Sequence, residues 1–463
     1  MKSGIRSHNG FIILETFFIL FFLLLQGQQD SFALSIEDER KLGEKFFENI
    51  QQQYDLVDDD FALEFINDLG GYLVKNLETR PFPFHFHIIK SNELNAFAAP
   101  GGYIFLFTGL IEALDKIDEL AAVICHEIGH VSSRHLSERL EQTKTIGLAT
   151  LAGVLVGSLL GGKISEAVIT GSIAAGIQKQ LSYSRDDERQ ADQLSVRYMV
   201  QTGFDPSGMV SALSKIQHSS LNGTTIPPYL LTHPGAPERM ANIESMLSSY
   251  RPGETKEEAE RLRRSYPIFR TILKAKYSDP HIAEKLFQSE LDKDPSSPIA
   301  HFGLGIILKE KAEYNGAINQ FQEALKALPE SLPVLRYLGE VYQLTGQDQE
   351  ALKIFEKALK INYLDKSILF LSAVSYQNME EYSKANSIFE RLVSMEPVQN
   401  EVFYHFGVSL GRQKRLGLAH YYFGIYFKRL KEKEKADFHF QKARELSGGD
   451  PLLLERISKA MED

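Results

Sequence analysis

The residues best placed to do chemistry in this chain are His126, Glu127 and His130, read as His126-Glu127-Ile128-Gly129-His130 after the apolar run Leu120-Ala121-Ala122-Val123-Ile124-Cys125. The apolar lead-in and a helix-compatible continuation predict a helix. On it, His126 and His130 lie at i and i+4 on one face. Two imidazoles so spaced can reach one metal ion, with Glu127 beside the open coordination position. Zinc suits these donors, and a zinc-bound water activated by a carboxylate is the core of metal-assisted peptide hydrolysis.

A catalytic zinc needs a third protein ligand. The run Asp186-Asp187-Glu188-Arg189-Gln190-Ala191-Asp192, followed by the apolar positions Leu194, Val196, Tyr198 and Met199, predicts a second helix that can supply it. Glu188 and Asp192 are again i and i+4, so both carboxylates point the same way. Glu188 can bind the metal. Asp192 can accept the free ring N–H of a ligating histidine, His126 by preference, and fix its tautomer. Asp186 and Asp187 suit the first turn of that helix.

These two segments together resemble the gluzincin peptidases, the group that includes HtpX, the CAAX prenyl proteases, the mitochondrial Oma-type proteases and the periplasmic BepA branch. Four further stretches carry the likeness: Asn95-Ala96-Phe97-Ala98-Ala99-Pro100-Gly101-Gly102-Tyr103-Ile104, Thr108-Gly109-Leu110-Ile111, Gly203-Phe204-Asp205-Pro206, and Thr232-His233-Pro234 with Arg239. The resemblance spans Ile36 to Tyr250. It implies an α+β zincin-type domain with a small sheet, one zinc per chain held by His126, His130 and Glu188, and Glu127 as general base. It further implies that His233 can take the fourth zinc position in a latent state and that Arg239 steadies the oxyanion. The strand Asn95–Ile104, with Asn95, Ala96 and Phe97 in contact, is expected to pair with extended substrate through main-chain hydrogen bonds.

The elements around this site extend well beyond one core, since 463 residues imply two or more domains. Alanines at 283, 317, 351, 385 and 419 stand 34 residues apart, with Phe287, Phe321, Phe355, Phe389 and Phe423 in the same register. Gly305 and Gly339 recur at the small position of the preceding helix, and Pro295, Pro329 and Pro397 end three units. This period predicts tetratricopeptide repeats. Ala373 departs from the usual Gly and Tyr363 from the usual Pro. Gly424, Ala436, Phe440 and Ala443 fit the repeat with a half-period offset, so the helix around Ala419 is expected to close one unit and open the next. The expected organisation is a signal peptide over 1–33, a zinc metallopeptidase domain over 34–250, a linker over 251–264, repeats over 265–450 and a C-terminal helix or tail over 451–463. The fold class is mainly α.

Lys2 and Arg6, the apolar run Thr16–Leu25 and Ser31-Phe32-Ala33 read as a secretory signal cut after Ala33. The alternative, an uncleaved anchor over Phe11–Leu25, contains Glu15 and is shorter than the ~20 residues a spanning helix needs. The chain is thus expected in the periplasm, with possible outer-membrane association. Its single cysteine, Cys125, excludes an intrachain disulfide and reads as a buried thiol. A net charge of −10 argues against a nucleic-acid partner. The Gly- and Ala-rich stretch 146–177 reads as a helical hairpin that covers the site, touches a membrane surface or packs internally. Repeats beside a protease imply protein partners: unfolded or misassembled substrates, or a docking assembly. The activity expected is endoproteolysis in envelope quality control, outer-membrane protein assembly included. The alternatives are a chaperone-like binding factor with a latent site and a membrane-embedded peptidase.

Overall fold

A computed structural model describes residues 35–75, 77, 80–140, 152–153, 155–156, 183–222, 226–250 and 256–462. The expected signal segment, most of the 146–177 hairpin and residues 251–255 lie outside the described residues. Among those described, no helix is long and apolar enough to cross a membrane. Ala152, Leu155 and Val156 are buried against Leu42, Phe46 and Phe97.

The first domain opens with helices α1 (Ile36–Gln53) and α2 (Asp60–Val74), capped at their N-termini by Ser35 and Asp59. A three-stranded sheet follows: β1 (His85–Ile89), β2 (Ala96–Ala99) and β3 (Tyr103–Phe107), in the order β1-β3-β2. β1 runs parallel to β3 with His85 opposite Tyr103, and β2 runs antiparallel to β3 with Ala96 opposite Leu106. The stretch Asn95–Ile104 is therefore a hairpin, not one strand. Gly101 and Gly102 take φ of 76° and 89°, the left-handed backbone that reverses the chain between β2 and β3.

Helices α3 (Thr108–Ala113), α4 (Ile117–Ser132) and α5 (His135–Leu140) come next. The Glu119 carboxylate fastens the start of α4 by accepting from the backbone N–H groups of Asp115 and Lys116 at 2.6 and 3.1 Å. Helix α6 (Arg185–Thr202) begins with a reciprocal cap: Asp187 N–H donates to Ser184 Oγ, and Ser184 N–H donates to Asp187 Oδ2. It ends at Gly203, whose φ of 79° stops the helix. Helices α7 (Gly208–Asn222), α8 (Pro228–Thr232) and α9 (Ala236–Leu247) complete this part.

Helix α10 (Glu257–Tyr277) begins inside the segment expected to be a linker, 251–264, and corrects that reading. Its Ala259, Leu262, Tyr266, Phe269 and Leu273 are buried in the peptidase core, and Ile268, Ile272 and Ala275 in the repeat core. Phe269 stacks on Phe65 of α2 at 4.3 Å. Its apolar positions form two stripes that face two cores.

Eleven antiparallel helices follow, α11 (Pro280–Lys293), α12 (Pro298–Glu310), α13 (Tyr314–Ala327), α14 (Leu332–Leu344), α15 (Asp348–Ile361), α16 (Lys366–Asn378), α17 (Tyr382–Leu392), α18 (Asn400–Arg412), α19 (Leu416–Arg429), α20 (Lys433–Glu445) and α21 (Pro451–Glu462). The 34-residue period is explained by contact. A Cβ on Gly305 would meet the Phe321 ring at 2.6 Å, one on Gly339 the Phe355 ring at 2.2 Å, and one on Gly424 the Phe440 ring at 2.5 Å. Helix α19 carries both Phe423, which packs over Gly407, and Gly424, which receives Phe440, so it closes one unit and opens the next.

The repeats hold the peptidase domain through consecutive acids. Asp58 accepts from Tyr277 Oη at 2.7 Å. Asp59 Oδ2 takes Tyr337 Oη at 2.6 Å, Arg336 Nη2 at 3.0 Å and Lys276 Nζ at 3.3 Å. Asp60 takes Ser367 Oγ at 2.8 Å and Gln399 Nε2 at 3.1 Å.

Candidate metal centre

Helices α4 and α6 cross closely because Gly129 has no side chain: a Cβ there would lie 3.1 Å from Ala191 Cα. Ser195 Oγ adds a hydrogen bond to the Ala122 carbonyl at 3.0 Å. This crossing turns the donors of both helices onto one point. His126 Nε2 and His130 Nε2 are 3.0 Å apart, and Glu188 Oε2 and Oε1 lie 3.4 and 3.5 Å from them respectively. His233, at the end of α8, brings Nδ1 to 3.0 Å from Glu188 Oε1 and 3.3 Å from His126 Nε2. One donor atom from each of His126, His130, Glu188 and His233 falls within 4.8 Å of all the others, and all four residues are buried. His233 thus stands in the donor set itself, facing it through Nδ1, while its Nε2 lies 3.6 Å from Glu127 Oε1.

The surroundings of this cluster suit a divalent cation. Glu127, Glu188 and Asp192 are buried carboxylates against the one buried guanidinium of Arg239. With the histidines neutral, as ligands are, three formal negative charges and one positive leave −2, which a divalent cation would balance. Both Glu127 oxygens and His233 Nε2 are buried without a hydrogen-bond partner among the described residues. Such polar atoms are costly unless something polar is bound between them. The donor chemistry, imidazole and carboxylate, fits zinc.

Asp192 Oδ1 lies 3.0 Å from His126 Nδ1, so the ring offers Nε2 to the centre. Arg239 is engaged with the carboxylates of the centre. Its Nε and Nη2 donate to Asp192 Oδ2 and Oδ1 at 2.9 and 2.7 Å, and its Nη1 is 2.6 Å from Glu188 Oε2. Where the resemblance implied an oxyanion helper, the guanidinium is engaged with two carboxylates, in the fork geometry that suits it. Burial works to raise the Glu188 carboxyl, but Arg239 and His233 hold it well below the ordinary 4.5. Burial and Arg239 oppose a proton on His126, yet its hydrogen bonds to Asp192 and Glu188 outweigh them and raise it to about 9. Burial pushes the Cys125 thiol up, as for an inert core cysteine.

Asn95, Ala96 and Phe97 reach the sheet edge rather than the donor cluster. Phe97 packs its ring on Phe46, Phe105 and Phe107, so any peptide beside β2 meets backbone, not this side chain. Four neighbours of the centre were not anticipated. Tyr183 stacks on His130 at 3.7 Å and Tyr229 on His233 at 4.5 Å, and both hydroxyls are buried without a hydrogen-bond partner among the described residues. His135 Nδ1 lies 3.0 Å from His130 Nδ1, and its Nε2 lies 2.8 Å from Gln190 Oε1. Only Tyr229 leaves a signal in the sequence, four residues before His233 across α8.

A metallopeptidase domain carried on tetratricopeptide repeats is the class that this fold and centre define. The family model described as peptidase family M48 matches residues 66–247, and a tetratricopeptide repeat model matches 306–363. The matched segments thus place a stretch similar to M48 peptidases ahead of repeats, which supports a metalloendopeptidase. The beta-barrel assembly-enhancing protease of Yersinia pestis is 28% identical over 332 residues, 71% of this chain and 67% of that protein. The protein of the same name from Escherichia coli (strain K12) is 32% identical over 230 residues, 49% of this chain and 47% of that protein. The mitochondrial metalloendopeptidase OMA1 of Schizosaccharomyces pombe is 28% identical over 165 residues, 35% of this chain and 47% of that protein. Apart from the Yersinia protein, the chain spans about half the length of these relatives.

Proposed function

We propose that the protein is a zinc-dependent endopeptidase of the cell envelope that cleaves unfolded or misassembled proteins, those of outer-membrane assembly among them, with the repeats docking substrate or partner. The observation that carries this reading is the convergence of His126, His130, Glu188 and His233 beside Glu127. The names of the bacterial relatives support the process, and the Lys2–Ala33 segment supports export to the periplasm.

His126, His130 and Glu188 would hold the metal, and Asp192 keeps the His126 proton on Nδ1. Zinc bound there supplies Lewis-acid polarisation and lowers the pKa of water. Glu127 accepts the proton of the attacking water and passes it to the leaving amine. Arg239 neutralises and orients Glu188 and Asp192. β2 stands last in the sheet order, and its outer main chain would supply hydrogen bonds to an extended chain, which demands little of its sequence. In this reading four protein donors make a resting form, from which His233 would turn its Nδ1 away before a peptide reacts.

Digestion of an unfolded substrate by the zinc-loaded chain tests this. E127Q is expected to retain one zinc and lose cleavage by about 10²–10⁴-fold. H233A is expected to retain zinc on three donors and to cleave faster than the parent. Wild-type turnover by E127Q sinks the mechanism. The closed donor set also favours a second reading, a binding factor whose site stays latent; E127Q would then still complement a deletion strain, whereas a chain ending at Tyr250 would not.

A further inference from the structure

The two histidines of α4 are braced from behind by different groups. His126 turns Nδ1 toward a carboxylate, Asp192, at 3.0 Å. His130 turns Nδ1 toward another imidazole, Nδ1 of His135, at 3.0 Å. His135 is 3% exposed, and its far nitrogen, Nε2, meets Gln190 Oε1 at 2.8 Å. Gln190 lies on the outer face of α6, two residues after Glu188, so the row runs from the surface to the donor cluster.

The row has a direction. A carbonyl oxygen can only accept, so Gln190 Oε1 requires the proton of His135 on Nε2. His135 Nδ1 is then an acceptor and takes the Nδ1–H of His130. His130 Nε2 is left with its lone pair, and this is the nitrogen that faces His126 Nε2 at 3.0 Å and Glu188 Oε1 at 3.5 Å. The opposite direction, with the Gln190 amide donating, would end with a proton on His130 Nε2 and close that nitrogen to any cation.

We infer that His135, set by Gln190, is a positioning residue that fixes the tautomer and ring orientation of His130 for metal binding. It rests on the reading of His130 as a ligand. The brace is a neutral imidazole where His126 has an anion, so His130 is the less basic donor of the pair. The stacked Tyr183 ring prevents His130 from turning instead.

Zinc affinity, measured by competition with a chelator on the full chain, and the visible spectrum of the cobalt-substituted protein decide the matter. Asparagine places an acceptor oxygen close to the position of an imidazole Nδ1; leucine places none. H135L is expected to lose about 10–100-fold in zinc affinity and to change the cobalt bands, while H135N stays within about threefold of the parent. At the exposed position, which tolerates exchange, Q190E keeps the acceptor and should bind at least as tightly as the parent; Q190L should bind more weakly. The inference is overturned if H135L binds zinc like the parent or if H135N falls as far as H135L. Should H135L not fold, equal affinities for Q190E and Q190L overturn it. Absence of zinc from the parent chain would instead remove the ligand reading itself.

Discussion

At the level of single residues, the centre is a problem of buried charge. Arg239 is 4% exposed and Glu188 and Asp192 are 1% and 2% exposed, so none of the three is relieved by solvent. Removing one partner from such a group leaves the others uncompensated, which costs about 3–5 kcal/mol. R239M is therefore expected to melt well below the parent when both are freed of metal. Zinc should close much of that gap, because a divalent cation repairs the missing positive charge next to Glu188. Calorimetry with chelator and with excess zinc measures both quantities. Equal melting temperatures of parent and R239M in chelator would show that Arg239 is not the counter-charge of the site. An oxyanion role predicts the opposite pattern, unchanged stability and lost turnover.

At the level of elements, the site depends on the crossing of α4 and α6. The neighbours of an added Cβ on Gly129 are Ala191 Cα and O, at 3.1 and 3.2 Å, and helix backbone cannot yield as a side-chain tip can. G129V should part the helices and pull Glu188 from the two imidazoles. The expected result is a fall in zinc affinity of an order of magnitude or more, comparable to losing a bracing partner. An unchanged affinity, read by the same chelator competition, would mean that the crossing is not what sets the ligand distances. In the repeats the same logic gives a stability effect only: G339A places a Cβ 2.2 Å from the Phe355 ring and should cost about 1–3 kcal/mol, with smaller residues at 355 recovering part of it in urea melts. These relations explain what could be read in advance. His126 and His130 stand at i and i+4 on one helix, as do Glu188 and Asp192 on another, so spacing alone placed each pair on a common face. The alanines at 283, 317, 351, 385 and 419, with a Phe four residues after each, recur every 34 residues and announced the solenoid. His135, Gln190 and Tyr183 meet the centre through packing that no period encodes, whereas Tyr229 stands one helical turn before His233. Pro100-Gly101-Gly102 was a turn signal within a stretch read as one strand. The expected linker 251–264 includes Ala259 and Leu262, which are buried, because helix α10 starts within it.

For the whole molecule, the question is what makes peptidase and repeats one body. Helix α10 contributes to both cores, and Asp59 joins them through charge. Its side chain is 2% exposed and serves two ends at once: Oδ1 caps α2 by accepting from Ala62 N–H at 3.1 Å, and Oδ2 faces Arg336, Tyr337 and Lys276. Asparagine caps a helix as well as aspartate does, so D59N separates the two roles. What it removes is the anion between Arg336 and Lys276, and the expected loss is about 3–5 kcal/mol. The pH dependence distinguishes this from a packing defect. Burial works to raise the Asp59 carboxyl, but Arg336 and Lys276 bring it below the usual 3.8. A carboxyl depressed in the folded state binds its proton more readily when unfolded. Its contribution is therefore complete above the unfolded value of about 3.9 and is lost as the pH falls through the folded one. Urea melts of parent and D59N should differ by a constant amount from pH 7 down to about 4, and the difference should shrink below that. A gap that persists undiminished at the lowest pH where both chains fold would assign the loss to packing, and the charge of Asp59 would then have no part in holding the repeats to the peptidase.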